Sequence, residues 1–377
     1  MIAVLTELER DIIFGLHETE GIGWRTIARI RRASIPLAEL PGCSERQLTG
    51  AGIPGNKAKL VAAGCRAAFI EQRKTLYARQ QIDILTRGDE RYPHWLQHSA
   101  KPPWVLYMKG NAELLRAPHV GIVGTRLPTV YGKRTARKLA HELSLQGISV
   151  ISGFARGIDS EAHEGALGGK GGTIAVLGTA PDVIYPVENS GLMRQLLDKG
   201  GLAVTEYPLG THSRPGLFPQ RNRIIAGLSI GLVVVEADER SGSLITAAQA
   251  LDENREVFAV PGPISSPKSK GTHKLIQEGA KLVACIGDIV EEIAAHLPKH
   301  AACAPTATTN ETEHNERNTM NADERYVLSL LGDEPLDMDQ LLGRSQLEIG
   351  RLHGALLCLL IKKKIVEHAG SAYTLSV

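Results

Sequence analysis

Gly124-Thr125-Arg126, Ser152-Gly153, Arg156-Gly157, Arg221-Asn222-Arg223, Ser241-Gly242-Ser243 and Lys274 are residues of types suited to gripping an anion. Glycine lets a backbone turn sharply and brings its N–H groups close to a ligand. A guanidinium presents a planar set of donors that matches phosphate. A helix starting just after such a turn points its positive end at the same place. Between Ile151 and Asp159 these features meet: an apolar run, a glycine turn holding Arg156, and the start of an alanine-containing helix. Arg126 and Arg156 sit inside glycine turns, where a cation without an anion is poorly compensated, so phosphate contact is expected of both. Arg221 and Arg223 flank Asn222 at a helix start. For them a second reading stays open, an arginine pinning a loop by pairing with Glu206 or Glu236.

Other chemistries are less well provided for. Asp159 and His163 lie four apart and share a helix face, the spacing of a general-base pair. The plainer expectation is that Asp159 caps its helix and His163 packs beside the turn. The chain has no serine elbow, no Walker A loop, no HExxH and no GxGxxG after a strand. The strand-end loops offer amides, hydroxyls and cations, with no carboxylate cluster to hold magnesium. No catalytic residue, cofactor or metal ligand is therefore expected.

These residues need elements to position them. Apolar runs recur at Val120–Val123, Ile148–Ile151, Thr173–Leu177, Leu202–Thr205, Leu232–Val235, Val257–Val260 and Lys281–Cys285. Helical stretches separate several of them. Runs without alternation belong to strands buried on both faces, so the fold class is α/β, a doubly wound, mostly parallel Rossmann-like sheet. In such a sheet a ligand lies beyond the carboxyl ends of the strands, where the charged turns fall. Base stacking would need aromatics. Phe154 and Tyr131 are the candidates in a chain that is only 4% aromatic.

Flanking regions differ in composition. Residues 1–78 read as a small helical domain, with Gly21-Ile22-Gly23 in a helix-hairpin-helix-like turn and one long helix from Asn56 toward Arg79. Residues 79–297 form the extended Rossmann-like domain. Residues 298–320 hold almost no core-forming side chain and read as a flexible linker. Residues 321–377 read as a winged helix: helices near Glu324–Leu331, Leu336–Leu342 and Gln346–Lys362, then a two-stranded wing with Gly370 at its tip. This last region holds six basic and eight acidic residues. That balance favours a protein-interaction or regulatory module over a DNA reader.

The whole chain has 43 basic and 41 acidic residues, a net charge of +2. Histone-like binding by bulk charge is excluded, so nucleic-acid binding must come from a local patch. Residues 1–81 are the most basic third, with 12 basic and 8 acidic residues. Five scattered cysteines, with no CxxC pair, indicate neither a disulfide framework nor a zinc site and fit a reducing cytoplasm. The start, with Glu7, Glu9, Arg10 and Asp11, does not read as a signal peptide, and no apolar run is long enough for a membrane span.

In order along the chain stand Gly124-Thr125-Arg126, the turn Ser152–Asp159 with His163, Thr173–Gly178 with Tyr185-Pro186, and Phe218–Ser229. Then come Val235-Glu236-Ala237, Ser241–Ala247, Pro261-Gly262 and Leu275–Ala280. This series resembles the DNA-processing protein A (DprA/Smf) family. The resemblance covers the whole middle domain, and a helical N-terminal module with a C-terminal winged helix occurs in that family. Two departures are small: Phe154 stands where leucine is usual, and Thr125 where serine is usual. The resemblance implies a bacterial cytoplasmic homodimer, with no membrane association, that binds single-stranded DNA during natural transformation. Such a protein protects the strand, helps displace single-strand-binding protein and loads a RecA-type recombinase. Arg126 and Arg156 correspond to DNA-contacting residues. Leu275–Leu282, with Leu275, Ile276 and Leu282, corresponds to the dimerisation region.

An alternative is an enzyme, because the middle domain is also similar to phosphoribohydrolases that carry PGGxGTxxE. Here Pro261-Gly262 is separated from Gly271-Thr272 by eight residues, and Leu275 stands where the catalytic glutamate belongs. Without that carboxylate the developing ribosyl cation has no partner, so the non-catalytic reading is preferred.

Overall fold

A computed structural model describes residues 5–33, 35–297, 321–331, 336–362, 364–368 and 372–375. The residues read as a linker, the wing tip at Gly370 and Cys303 lie outside the described residues. The chain forms two compact units, Met1–Ala302 and Cys303–Val377.

The first unit begins with α1 (Glu7–Glu18), α2 (Trp24–Arg32), α3 (Glu45–Gly50), α4 (Gly55–Gly64) and α5 (Ala67–Arg79). Thr6 and Glu9 form a reciprocal capping box that starts α1. The single helix expected from Asn56 onward is broken at Cys65 and Arg66. There Gly64 lies against the backbone of Gly15, and a side chain at that point would collide with Thr19. The chain leaves the helix at this close approach, and α5 restarts at Ala67.

A nine-stranded sheet follows: β1 (Asp83–Thr86), then α6 (His94–Gln97), β2 (Val105–Gly110), β3 (His119–Val123), α7 (Val130–Leu145), β4 (Ser149–Ser152), α8 (Ile158–Ala166) and β5 (Thr173–Val176). It continues through α9 (Ser190–Asp198), β6 (Leu202–Thr205), α10 (Leu217–Leu228), β7 (Gly231–Val234), α11 (Gly242–Asp252), β8 (Glu256–Ala259), α12 (Lys270–Gln277), β9 (Lys281–Leu282) and α13 (Ile286–Ile293). The strand order is β1-β2-β6-β5-β4-β3-β7-β8-β9. From β6 to β9 every pairing is parallel, as the continuous apolar runs require. All residues of β3, β4, β5, β6 and β7 are buried.

Sequence patterning missed β1 and β2, which add antiparallel to the β6 edge. Their outer face is covered by the N-terminal helices. Ile12, Phe14, Ile27, Val61 and Tyr77 share one apolar cluster with Trp104, Val105 and Tyr107. A polar knot crosses this interface. The buried Glu18 carboxylate pairs with Arg73 at 2.5 Å and accepts from the Tyr77 hydroxyl at 2.7 Å and from that of Tyr107.

The second unit contains α14 (Ala322–Leu330), β10 (Leu336–Asp337), α15 (Met338–Ser345), α16 (Ile349–Ile361), β11 (Ile365–His368) and β12 (Ala372–Leu375). The strands pair antiparallel in the order β10-β12-β11 around a core of Val327, Leu341, Leu352, Leu356 and Tyr373. The helix expected from Leu336 starts two residues later. Asp337 caps it through Gln340, which leaves Leu336 free to pair with Tyr373 as a third strand. Among the described residues no helix is long and apolar enough to cross a membrane.

Candidate nucleic-acid interface

The carboxyl ends of the parallel strands share one rim, and loops after four of them converge. Arg126 follows β3, Gly153 to Arg156 follow β4, Tyr185 and Pro186 follow β5, and Phe218 and Arg221 follow β6. Together they line one pocket. Three guanidinium groups therefore face a common space, and no carboxylate is among its lining residues.

The three arginines stand in different environments. Arg221 is buried, at 3% exposure, and its Nε has no partner. Burial pushes this guanidinium down to about 10; Asp159 opposes that and the positive charge of Arg126 adds to it. Gly153 makes room for it, because a Cβ at that position would lie 1.6 Å from Arg221 Nη1. Arg126 is exposed, appears in no ion pair among the described residues, and stands 5.7 Å from the centre of the Phe218 ring. Arg156 is exposed and holds Glu188 at 2.5 Å, with both side chains more than half in solvent. An exposed pair of this kind contributes little and is readily exchanged for another anion.

The turn amides are arranged differently from expectation. The Gly153 and Ala155 N–H groups donate to Asp159 Oδ2 at 3.1 and 3.2 Å. Asp159 thus ties down the preceding turn rather than serving as its helix N-cap, and burial pushes its carboxyl above the ordinary range despite Arg221 and these donors. His163 does not pair with Asp159. Its Nδ1 lies 2.7 Å from the Thr173 hydroxyl, which itself donates to the Val150 carbonyl. The hydroxyl proton is therefore committed, so Nδ1 carries the imidazole proton and donates. Burial drives the histidine down to about 3, and Nε2 has no partner. It packs beside the turn, its ring 5.6 Å from that of Phe154.

A similar internal anion closes the neighbouring crevice. The Glu236 carboxylate accepts from the Thr129 N–H at 2.9 Å and the Thr129 hydroxyl at 2.5 Å, filling the start of α7. Arg223 pairs with Glu206 near the end of β6, both largely buried, which realises the loop-pinning alternative. Gly157, with φ of +80°, lies against the Thr125 and Arg126 backbone and holds the two turns together. Ser152 donates from its buried hydroxyl to the Ile122 carbonyl.

Ser241, Gly242, Ser243 and Lys274 do not line this pocket. Ser241 caps α11 by accepting from the Ser243 N–H, and Lys274 lies 3.7 Å from Glu278 on its own helix. Asn222 is half-buried on α10; Gly124 and Thr125 serve as backbone, Thr125 N–H donating to the Glu236 carbonyl at 2.8 Å. The aromatic candidates also change. Phe154 is buried in a small apolar cluster under α9, and the Tyr131 hydroxyl donates to the Pro261 carbonyl. Phe218 and Tyr185, with ring centres 5.4 Å apart, also line the pocket and are the more accessible rings there, Phe154 being buried. Their separation of more than thirty positions hid this from local patterning. Leu275 is buried against the sheet, Ile276 is half-buried, and Leu282 is 45% exposed on the edge strand β9.

Fold and site together define a doubly wound, Rossmann-like protein with a cationic, aromatic pocket at the carboxyl rim of its sheet. Comparison with known proteins narrows that class. A DNA recombination-mediator protein A family model matches residues 83–294, and a DprA winged helix domain model matches residues 304–371. The chain belongs to the DNA recombination-mediator protein A family. It is 44% identical over 218 residues to DNA processing protein DprA of Bacillus subtilis, covering 58% of this chain and 73% of that protein. It is 36% identical over 333 residues to Protein Smf of Synechocystis sp., covering 81% and 82%. The X-ray structure of DNA processing protein A from Streptococcus pneumoniae superposes with a TM-score of 0.63 and 34% identity, covering 75% of this chain and 97% of that one. That of Helicobacter pylori, solved for its single-stranded DNA binding mode, gives 0.53 and 32%, covering 58% and 98%.

Proposed function

We propose that this chain is a non-catalytic single-stranded DNA-binding protein that shields incoming strands in the cytoplasm and passes them to a RecA-type recombinase, displacing single-strand-binding protein. The observation that carries this reading is the convergence of Arg126, Arg156 and the partly unsatisfied Arg221 on one pocket beside the exposed Tyr185 ring and the half-buried Phe218 ring. Guanidinium groups grip phosphates without reading sequence, and rings accept any base face. The lining residues hold no carboxylate and no histidine to serve as a general base, and the Helicobacter pylori relative binds single strands. Both points favour holding a strand over cutting or hydrolysing it. The glycosidase alternative loses further support because Leu275 faces the protein core. Homodimerisation belongs to the same proposal: β9, a two-residue edge strand carrying exposed Leu282, is the free side of the sheet that a second copy would meet.

The test is binding of a single-stranded oligonucleotide at several salt concentrations. Arg126→Ala/Arg156→Ala is expected to lower affinity about a hundredfold, the loss of two charged hydrogen-bonded contacts. The salt slope should fall by about 1.4, at about 0.7 per lost phosphate. Unchanged affinity in the double variant would overturn the assignment.

A further inference from the structure

The rim pocket is not the only place where arginines gather. A second groove lies between α2 and the start of β2, lined by Leu5, Trp24, Arg31, Arg32, Arg87 and Trp104. Its neighbours Arg25 and Arg29 are exposed on the same helix. Among the described residues none of these arginines takes part in an ion pair, and no carboxylate lines the groove. Tryptophan faces do the compensating instead. The Arg87 guanidinium lies 5.1 Å over the Trp104 ring, and the Lys101 ammonium 5.5 Å over that of Trp24. Both indoles are locked by hydrogen bonds, Trp24 Nε1 to the Pro102 carbonyl at 2.7 Å and Trp104 Nε1 to the Trp24 carbonyl at 3.1 Å.

A cation held against a ring keeps its N–H edge free, so this arrangement aligns donors without neutralising them. The Arg87 Nε is buried and unpartnered. Burial first, and then the charge of Arg31, hold the Arg87 guanidinium below its ordinary value, against the pull of Tyr92. An anion in the groove would relieve both. The indole faces are already covered by one another and by the cations, their centres 5.9 Å apart. The groove therefore suits phosphates rather than bases.

Topology places it on the same rim as the first pocket. Strand β2 runs antiparallel to β6, with Tyr107 opposite Thr205, so Trp104 lies beyond the carboxyl end of β6. Arg87 follows Thr86, which pairs with Val105. At about 4.8 Å per neighbouring strand, β2 and β1 stand about 14 to 19 Å along the sheet from β4.

We propose that the groove formed by Arg31, Arg32 and Arg87 over Trp24 and Trp104 is a second phosphate-gripping station for a single strand leaving the rim pocket. The proposal rests on the single-strand reading of that pocket, and it makes binding depend on strand length. Short oligonucleotides of about 4 nucleotides fill the pocket alone, and those of about 16 reach the groove. The experiment is fluorescence anisotropy with both lengths over a salt series. Arg31→Ala/Arg32→Ala/Arg87→Ala should leave the short strand unchanged. It should weaken the long one about tenfold or more, with a salt slope smaller by about 2. Unchanged binding of the long strand, or equal loss for both lengths, would overturn the groove. Loss only with Arg126→Ala/Arg156→Ala would leave the pocket standing without it, and no loss in either variant would remove both. Should the triple variant melt early, Arg31→Ala/Arg32→Ala decides: both side chains are exposed, and the slope change expected is about 1.4.

Discussion

Over β3 and β7 the rim of the sheet is closed by the chain's own Glu236; over β3 to β6 it stays open and lined with arginine. The crevice where the strand order reverses, between β3 and β7, is where an open α/β sheet ordinarily takes its ligand. Here the carboxylate of Glu236 sits in it, bound to Thr129, and Asp159 takes two amides of the next turn in the same manner. The best backbone anion sites are thus filled internally. What remains for an outside anion is side-chain charge: Arg126, Arg156 and Arg221. The difference teaches that a glycine turn at a strand end marks close packing first, and that a ligand site is better sought where a cation lacks a partner.

The largest effect separating the two halves should come from the closed one. Glu236→Ala leaves the Thr129 N–H and hydroxyl without their acceptor and opens space beside Gly132, at a cost of about 3 to 5 kcal/mol. Calorimetry should show the lowered melting temperature, while the folded fraction keeps its affinity for single strands. A matching loss of affinity would mean that the closed half also holds DNA.

The open half rests on a neutral, buried histidine, and acid tests it. His163 has an ordinary value of 6.5 and a folded value of about 3. The unfolded chain therefore binds the extra proton, and the stabilisation is fully present above pH 6.5 and lost as pH falls toward 3. Between pH 6.5 and 4 this amounts to about 3 kcal/mol. His17, held at about 4 by burial, adds a loss of the same sign, whereas Asp159, pushed upward, acts in the opposite sense. Thermal melts of the His163→Leu variant across this window should be flatter than those of the parent. Parallel profiles would show that His163 titrates normally.

The inner parallel strands β3 to β7 are legible because burial on both faces leaves unbroken runs rich in Val and Ile. β1 and β2 are not: Asp83–Thr86 is short and mixed, and Val105–Gly110 follows a Pro102-Pro103 pair that reads as a lead-in. Arg126 and Arg156 are read from their glycine turns and Arg221 from its place near a helix start, and the structure brings the three to one pocket. Ser241, Ser243 and Lys274 looked equivalent, yet they serve a helix cap and an intrahelical pair. Local spacing reports which residues follow a strand. It does not report which acceptor reaches them through space, and so it hid both the Asp159 contacts and the Tyr185–Phe218 rings.

Gly153 tests how the buried arginine is held. Gly153→Ala places a methyl group on the Arg221 guanidinium, and such overpacking costs about 1 to 3 kcal/mol. Displacing Arg221 from the pocket floor should also reduce single-strand affinity about tenfold, the loss of one charged contact. If stability drops while affinity holds, Arg221 is a structural cation like Arg223, and the open half has only two working guanidiniums.

The smallest effect should come from Glu188, which pairs with the pocket-lining Arg156. Both side chains are mostly in solvent, so their pairing competes only weakly with DNA. Glu188→Gln releases Arg156 and removes a negative charge from the mouth of the pocket, and affinity should rise about two- to fivefold at low salt. The gain should vanish at high salt, where exposed charges no longer sense one another. An affinity that falls instead would mean that Arg156 needs Glu188 to hold its orientation, making this pair a positioning device like Glu206 and Arg223 rather than a competitor for the strand.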